Sequence, residues 1–412
     1  MRIAIVGSGI SGLICAHLLG EKHNISLFES DCRPGGHVNT IATTGETGTF
    51  NIDTGFIVFN RKNYPNFVRL LEKLQVPSKE TRMGFSVRSE ISGLEYSGES
   101  LIGLFGHLKN ITSPAHWGMV IDILKFHKLA EKLPYQDETV EHFISRVGLG
   151  KRFREAFLLP LGSALWSCSQ KRFGDFPMEF VTEFLSNHQM LQANNRPVWR
   201  VIEGGSRTYV DVIVKKLGDR LKLNSPVKQI TRNERDINIE FPDGTSQNFD
   251  EIILACHADH SLRLIKNPDA DETGLLRSFP YEENRVTLHS DDSVLPSRKT
   301  ARASWNAYIP RKQESNALIS YDMNILQSLS TEEPFCVSLN QNSQIARDKQ
   351  HANFKYFHPT YHPGRKKSQQ NHHQFIRRRG ISLCGAYWGY GFHEDGIDSG
   401  LRVCDAFGEI LG

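Results

Sequence analysis

The first thirty residues alternate between short apolar runs and glycine-rich or polar breaks. Residues 2–6 form an apolar run that predicts a buried strand, residues 11–19 predict a helix, and residues 25–28 predict a second strand. Strands that read as continuous apolar runs are typical of parallel sheets covered on both faces. The pattern therefore predicts an α/β fold that opens with a strand–helix–strand unit.

The turn between the first strand and the helix has the spacing GxGxxG, with Gly7, Gly9 and Gly12 as its glycines. The first glycine permits a tight turn, the second lets backbone amides approach a pyrophosphate, and the third lets helix and strand pack closely. The helix N-terminus favours negative charge at this point. Glu29 ends the second strand, where it can accept hydrogen bonds from a ribose diol. The order of these features predicts a dinucleotide site.

Two further segments favour FAD over NAD as the dinucleotide. A second glycine turn at 33–37 follows the ribose acid directly, and it would let backbone meet the phosphate and ribityl groups of a longer cofactor; an ordinary hairpin turn is the alternative. Residues 381–385 predict a short buried strand, and a helix is predicted from Glu394 to about Phe407. The positive end of that helix would stabilise the N1/C2=O edge of a reduced flavin. A capped helix that only packs on the sheet is the alternative there.

With these motifs the chain resembles the flavin-containing amine oxidase superfamily, which includes monoamine oxidases, protoporphyrinogen oxidases and phytoene desaturases. Within it, the chain resembles a bacterial group of FAD-dependent oxidoreductases often encoded beside cyclopropane-fatty-acyl-phospholipid synthases, and the N-terminal domain of plant cyclopropane fatty acid synthases. The likeness implies a Rossmann-type FAD-binding domain with a discontinuous α+β substrate domain. It covers nearly the whole chain, and the stretches that carry it are 6–12, 35–37, 53–58, 94–98, 203–207, 254–259 and 385–400.

The resemblance also implies the contacts of FAD. Ser11 and the three glycines would line the pyrophosphate, Gly55 would approach the isoalloxazine ring, and Val227, on a strand at 225–230, would contact adenine through its backbone. His37 stands where the superfamily usually has Arg, and a neutral His binds phosphate less strongly, so that contact is in doubt. Gly385 and the helix start would flank the flavin. The residues assigned to FAD are Gly7, Gly9, Ser11, Gly12, Glu29, Ser30, Arg33, Gly35, Gly36, His37, Gly55, Phe56, Val227, Gly385, Glu394 and Asp395.

Both predicted domains are discontinuous in sequence. The FAD-binding domain is assigned to 1–75, 200–265 and 376–412, and the substrate domain to 76–199 and 266–375. The run 117–126 is apolar but carries Asp122 and Lys125, and it is predicted to pack as a helix. A helix is also predicted at 63–75. Strands are predicted at 221–224, 227–231, 237–241 and 251–255, and in a mixed sheet over the flavin at 285–289, 301–308 and 317–322.

Composition excludes several classes of protein. The chain has 412 residues, 39% of them hydrophobic, and a net charge of +3, so it can bury two cores and has no global nucleic-acid signal. Its seven cysteines are scattered without a CxxC pair, which argues against a zinc site or disulfide framework and suits a reducing cytoplasm. No signal peptide, membrane-spanning run or metal site is expected. The basic segment 365–379 is interpreted as a solvated loop, with anionic phospholipid head groups at the inner membrane face as the alternative partner.

The sequence contains one dinucleotide fingerprint, whereas enzymes that reduce their flavin with NAD(P)H often carry a second. The hypothesis is therefore that the substrate itself reduces FAD and that oxygen, a quinone or another carrier reoxidises it. The region 281–289 lacks the Lys that amine oxidases place near the flavin, which favours desaturation or isomerisation of an apolar substrate. The resemblance suggests a fatty acyl chain on a phospholipid. Amine oxidation and a non-catalytic FAD-binding partner of a lipid-modifying methyltransferase stay open. The catalytic residue is not identified; the candidates are Tyr387, Tyr390 and His393, each with core packing or helix capping as the alternative.

Overall fold

The computed structural model describes residues 1–105, 107–130, 138–191, 197–311 and 316–412. Its strands are β1 (Arg2–Val6), β2 (Asn24–Phe28), β3 (Thr40–Gly45), β4 (Gly48–Asp53), β5 (Phe59–Asn60), β6 (Ser78–Thr81), β7 (Phe85–Ser89), β8 (Leu94–Ser97), β9 (Trp199–Ile202), β10 (Leu221–Lys222), β11 (Gln229–Arg232), β12 (Ile237–Glu240), β13 (Ser246–Phe249), β14 (Glu251–Leu254), β15 (Tyr281–His289), β16 (Trp305–Ile309), β17 (Ile319–Asp322), β18 (Cys336–Leu339), β19 (Gln350–Pro359) and β20 (Ile381–Leu383).

The chain also forms sixteen α-helices in the described ranges, and a five-residue π-helical turn at Arg154–Leu158 joins two of them. The α-helices are α1 (Ile10–Leu19), α2 (Pro65–Leu74), α3 (Leu101–Phe105), α4 (Leu108–Ile111), α5 (Pro114–Ala130), α6 (Val140–Val147), α7 (Lys151–Phe153), α8 (Leu159–Trp166), α9 (Gln170–Gly174), α10 (Met178–Asn187), α11 (Arg207–Leu217), α12 (Ala258–Leu264), α13 (Ala270–Arg277), α14 (Met323–Leu326), α15 (Arg365–Gln370) and α16 (His393–Asp405). None of the helices in the described ranges combines the length and apolarity needed to cross a lipid bilayer.

A parallel sheet carries the glycine fingerprint at its carboxyl edge. Its strand order is β10-β2-β1-β14-β20, and all four pairings are parallel. Ile3 lies between Ile25 of β2 and Glu251 of β14. Helix α1 packs against β1, α11 and α16 and is buried along almost its whole length, because sheet and helices cover it on both sides. This arrangement confirms the predicted α/β architecture.

A second, seven-stranded sheet has the order β19-β15-β18-β17-β16-β7-β8. Every pairing in it is antiparallel except that of β16 with β7, so the predicted mixed sheet is confirmed. Its strands come from the ranges assigned to the substrate domain, and those of the parallel sheet from the ranges assigned to FAD binding. The residue-level boundaries between the two domains stay a prediction.

Three predicted strands differ from the structure for local reasons. Asn224 has a left-handed backbone conformation (φ 50°), so the strand predicted at 221–224 ends at Lys222. Pro226 has no N–H to donate, and the strand predicted from 227 begins only at Gln229, so Val227 precedes the strand on which it was placed. Likewise, the strand predicted from 301 begins at Trp305.

The basic segment 365–379 is not a solvated loop. Arg365 begins α15 and is buried, with its guanidinium 3.3 Å from the ring centre of Tyr361. The other basic side chains mostly pair with acids from distant parts of the chain. These ion pairs are Lys366 with Glu179 and Glu183, Arg377 with Glu251, Arg378 with Asp269 and Asp271, and Arg379 with Asp269.

Candidate cofactor and active site

The fingerprint turn has the geometry that its glycines require. Gly7 lies at φ +102°, and a Cβ at Gly12 would stand 1.9 Å from the carbonyl oxygen of Gly7, so neither position accepts a larger residue without displacement of the backbone. A Cβ at Gly9 would meet nothing within 4 Å. Of the three glycines, Gly9 is therefore the one that packing within the protein does not require. The open space beside it is where a pyrophosphate would approach the backbone.

Glu29 is held at the carboxyl edge of the sheet by hydrogen bonds. The amide and hydroxyl of Ser8 donate to its Oε2 at 2.9 and 2.5 Å, and the hydroxyl of Ser30 and the amide of Asp31 donate to its Oε1 at 3.2 and 2.9 Å. These donors fix the carboxylate next to the glycine turn. Ser8 was missed in the sequence, although its place inside the fingerprint is a signal that could have found it.

The second glycine turn contacts the first. The amide of Gly35 donates to the carbonyl of Ser8 at 3.0 Å, and a Cβ at Gly36, which has φ +59°, would lie 3.1 Å from Cα of Gly9. Arg33 donates to the carbonyl of Val38 at 3.1 Å, which ties the turn to the chain beyond it. The two glycine turns therefore form one continuous backbone surface, as an extended cofactor requires.

Three histidines from distant segments meet above this surface, and we call them the histidine trio: His37, His257 and His358. The ring centre of His37 lies 5.2 Å from that of His358 and 6.2 Å from that of His257. Burial lowers the pKa of His37 to about 4 and that of His257 to about 3, and it lowers the pKa of His358 well below its usual range. All three are neutral at physiological pH, so His37 does not supply the positive charge of the usual Arg.

His257 is also close to Asp259 and His260, with ligand-type atoms within 4.8 Å of one another. The guanidinium of Arg263, however, donates to Asp259 at 3.1 Å. A cation beside this carboxylate opposes a metal ion there, so the geometry gives no reason to revise the expectation of no metal.

Gly55 and Phe56 continue the surface towards the start of α16. A Cβ at Gly55 would stand 2.1 Å from the carbonyl oxygen of His37, so only glycine permits this approach. Phe56 stacks on His393 with ring centres 3.7 Å apart, and the hydroxyl of Tyr209 lies 2.9 Å from Nε2 of His393. Burial lowers the pKa of His393 to about 3, so it is neutral and held in place.

The acidic residues at the start of α16 are both engaged within the protein. Glu394 accepts from the amides of Asn66 and Phe67 at 2.8 and 2.9 Å, and so caps α2. Asp395 accepts from the amide of Phe392 at 2.8 Å, and burial raises its pKa to about 7. Glu394 thus joins the start of α16 to α2, and Asp395 caps α16 itself. The amide of Gly385 donates to the hydroxyl of Ser399 of α16 at 2.9 Å, which holds Gly385 next to this helix.

A cavity of about 680 Å³ opens between this helix start, α2 and the end of α10. It brings together Tyr390, Glu394 and Asp395 from the predicted site, with Phe184 and Phe392 as neighbours. The hydroxyl of Tyr390 donates to Glu183 at 3.3 Å. Tyr387, by contrast, is buried against Phe279 with ring centres 4.8 Å apart, a placement that favours packing over catalysis.

Asp53 is a second residue that the sequence did not single out. Its buried carboxylate accepts from the amide and hydroxyl of Ser206 and from the hydroxyl of Thr40, at 2.5 to 2.9 Å for Oδ1. Burial raises its pKa to about 6 despite these bonds. It joins the stretches 53–58 and 203–207 below the flavin end.

Val227 lies two residues beyond Ser225, whose amide donates to the carbonyl of Glu29 at 2.8 Å, so it is near the ribose acid.

These residues fit FAD on two observations. Gly9 leaves open space where backbone amides and a helix N-terminus converge. Nε2 of His37 and Nδ1 of His257 are buried and have no hydrogen-bond partner within the described chain, so each can serve a polar group of the cofactor's middle. Glu29 would then hold the adenosine ribose, and the 33–37 turn the phosphates.

Comparison with known proteins agrees with this geometry. The family model of flavin containing amine oxidoreductase matches residues 10–297. The chloroplastic protoporphyrinogen oxidase of Nicotiana tabacum is 26% identical over 269 residues, which are 58% of this chain and 47% of that protein. The chain thus spans less than half the length of the curated relatives it matches.

Solved structures share the fold over nearly the whole chain. A putative protoporphyrinogen oxidase from Exiguobacterium sp. 255-15 has a TM-score of 0.71 at 15% identity, with 98% of each chain covered. A fatty acid isomerase from P. acnes has a TM-score of 0.71 at 14% identity, again with 98% of each chain covered. With the family match extending over more than half of its residues, the chain belongs to the flavin containing amine oxidoreductase family.

Proposed function

We propose that this protein desaturates an apolar, carbon-centred substrate, a fatty acyl chain on a lipid, and passes the electrons through FAD to oxygen or another acceptor. In such a desaturation one carbon would lose a proton to solvent and its neighbour would lose a hydride, which carries both electrons, so that a C=C bond forms. Bound FAD would supply the hydride-accepting chemistry, and the acceptor would then take the two electrons. One observation carries the proposal: the described carboxylates that line the cavity beside the predicted flavin end are all bonded within the protein. The rings of Phe184, Tyr390 and Phe392 form one part of the cavity wall, among polar side chains.

The bonding of those carboxylates argues against recognition of an amine. An ammonium substrate is held most strongly by a carboxylate that is free to pair with it. Both oxygens of Glu394 accept backbone amides, and Asp398 pairs with Arg402 at 2.6 Å. Asp395 is bonded to Phe392, and its pKa, raised to about 7, keeps it largely protonated in mildly acidic solution. The rings of Phe184 and Phe392, stacked with centres 4.8 Å apart, favour an apolar occupant.

The part of β19 that lies over the cofactor turn presents neutral side chains. Tyr356 and His358 of β19 lie against His37, at 5.1 and 5.2 Å between ring centres. Lys355 immediately precedes Tyr356 in the strand and therefore lies on the opposite face, where it pairs with Glu283 at 3.3 Å. No ammonium of the described strand therefore points towards the flavin end. The fatty acid isomerase of the same fold supports the idea that this scaffold accommodates an acyl chain.

The side chains of Tyr390 and His393 would then bind and orient the substrate as neutral groups. The phenol of Tyr390, bonded to Glu183, has a pKa well above its usual range, mainly through burial, and stays neutral at the cavity wall. Neutral His393, fixed by Phe56 and Tyr209, directly precedes the cavity-lining Glu394 and holds the start of α16 in place. The start of α16 places its partial positive charge near the cofactor.

The test is incubation of FAD-loaded protein with phospholipids that carry saturated, monounsaturated or cyclopropanated acyl chains, followed by mass spectrometry of the released chains. We expect a product two hydrogens lighter. The variant Ser186→Trp, which narrows the cavity, should raise the KM for lipid while FAD content stays constant. The matched control Ser343→Trp adds the same ring at an exposed position outside the cavity and should change neither.

Two alternatives are separated by the same preparation. Amine oxidation would release peroxide in a panel of monoamines and polyamines and leave the lipids unchanged. A non-catalytic FAD-binding partner of a lipid-modifying methyltransferase would hold flavin that neither lipids nor amines reduce, and it would co-purify with that enzyme. Unchanged lipid with either of these results refutes the proposed desaturation.

A further inference from the structure

Helices α3 to α5 expose more large apolar side chains than the rest of the described chain. We call this surface the helical apolar face. The side chains are 46–77% exposed, and single exposed apolar residues would need no explanation, but a group of this size does. Its members are Leu101, Ile102, Ile111, Trp117, Ile121 and Leu124.

In α5 the exposed residues follow one stripe of the helix. Trp117, Ile121 and Leu124 recur at intervals of four and three residues, so they share one side of it. The opposite side buries Met119 and Phe126 in the core of the helical region. A helix at the surface of a globular protein normally carries polar residues on its outer side. Here both sides of the described helix carry apolar residues, which makes the outer side a candidate docking surface.

The short helices α3 and α4 pack against α5, so the three form one surface. Phe105 of α3 packs on Trp117 of α5 with ring centres 4.6 Å apart. The indole Nε1 of Trp117 donates to the carbonyl of Ile111 at the end of α4, at 2.8 Å. This bond fixes the indole ring at the edge of the helical apolar face. Tryptophan, whose ring has an apolar body and one polar N–H, prefers such an edge position at a membrane–water interface.

The charges around the face are complementary to an anionic surface. Lys109, Lys125 and Lys128 are exposed at its margin. Asp122 is the one acidic residue of the segment 101–130, and its carboxylate accepts the amide of Gly150 at 2.8 Å. Apolar side chains flanked by lysines and a tryptophan are characteristic of helices that lie in the interface of an anionic bilayer.

We propose that the helical apolar face docks the protein on the surface of a bilayer that contains anionic phospholipid. The segment 365–379, whose basic side chains are mostly paired within the protein, contributes little to this docking. α5 lies in the plane of the interface with Trp117, Ile121 and Leu124 among the head groups and upper acyl chains, and the lysines contact the phosphates. Docking does not depend on the proposed desaturation, since an enzyme with another substrate could carry the same surface.

Co-sedimentation of the full FAD-loaded chain with vesicles tests the docking. Wild type should sediment with vesicles of phosphatidylcholine and phosphatidylglycerol, and much less with phosphatidylcholine alone. Ile121→Asn should lower the partition coefficient about tenfold, because a single buried isoleucine accounts for roughly that factor. Ile410→Asn is the matched control, since Ile410 is similarly exposed, at 70% against 61%, but lies near the C-terminus.

A charge variant tests the second half of the proposal. Lys109→Gln with Lys128→Gln should weaken binding to the anionic vesicles about thirtyfold, at the usual contribution of two surface lysines, and reduce its dependence on salt. Since all the substituted residues are exposed, flavin absorbance and the melting temperature should match wild type. In wild type, brominated lipids should quench fluorescence that the variant Trp117→Phe lacks.

Three results would overturn the docking: wild type that stays in the supernatant with anionic vesicles, equal partition of Ile121→Asn and wild type, or light scattering that shows a dimer lost in Ile121→Asn without vesicle binding. The last result would mean that a second copy of this chain covers the face. None of these results bears on the desaturation assay, which can be run with detergent-dispersed lipid.

Discussion

Gly9→Ala separates a role in cofactor binding from a role in folding. Gly9 has φ −64° and ψ 176°, which alanine adopts freely, and the added Cβ meets no atom within 4 Å. The variant should therefore fold, with a change in the free energy of unfolding of less than about 1 kcal/mol from the poorer N-cap. The same Cβ would occupy the space through which a pyrophosphate reaches the backbone amides. Displacing the phosphate breaks at least one hydrogen bond to a charged group, about 1.5–3 kcal/mol, so FAD affinity should fall roughly 10–100-fold.

Two further glycine variants serve as comparisons, one that should disturb folding and one that should not affect FAD binding. Gly12→Ala places a Cβ 1.9 Å from the carbonyl oxygen of Gly7, where ordinary contact begins at 3.4 Å, so the apoprotein itself should lose about 3 kcal/mol or more. Gly274→Ala, in α13 with open space around it, should keep FAD affinity and gain up to about 1 kcal/mol from helix propensity.

The assay is urea unfolding of the apoproteins together with titration of FAD followed by flavin fluorescence. The reasoning is refuted if Gly9→Ala binds FAD as tightly as wild type, or if it loses affinity only in proportion to a loss of stability like that of Gly12→Ala.

Three further predictions concern ionisable groups. Glu29→Gln should lower FAD affinity about tenfold or more, because it weakens a charged acceptor for the ribose; equal affinity in the same titration would contradict the assignment of Glu29. Asp395 has a pKa raised from 3.8 to about 7, so the native state keeps its proton while the unfolded state loses it, and stability should fall by about 4 kcal/mol as pH rises through that window. Asp395→Asn should remove this fall, and an unfolding free energy that differs from wild type by a constant amount at pH 4 and pH 8 would contradict it. His257 has a pKa lowered from 6.5 to about 3, so its stability contribution is present above pH 6.5 and is lost on acidification, by about 3 kcal/mol at pH 4. His257→Asn should flatten this acid sensitivity in urea unfolding and the exposed control His351→Asn should not; equal slopes would contradict the burial argument.

The sequence predicted the parts of the site that depend on local spacing. The glycine turn, the helix after it and Glu29 lie within one short segment, so their spacing alone determines their geometry. The C-terminal segment was also predictable as a strand followed by a helix, because its apolar run and its polar start are adjacent.

The parts that depend on distant segments were not predictable. The histidine trio joins residues 37, 257 and 358, and Asp53 joins two stretches about 150 positions apart, so no local pattern shows either. The acids that neutralise the segment 365–379 also come from far along the chain. For α5 the helix was predicted correctly, but a helix that is apolar on both sides gives no periodic signal, so its exposed face was not visible in the sequence.

The most direct test of the proposed chemistry is anaerobic titration of the FAD-loaded protein with acyl phospholipid, followed by the visible absorbance of the flavin. The account predicts stoichiometric bleaching by the lipid, recovery on admission of oxygen, and no bleaching by a panel of amines. Bleaching by an amine, or flavin that stays oxidised with every lipid tested, would contradict it.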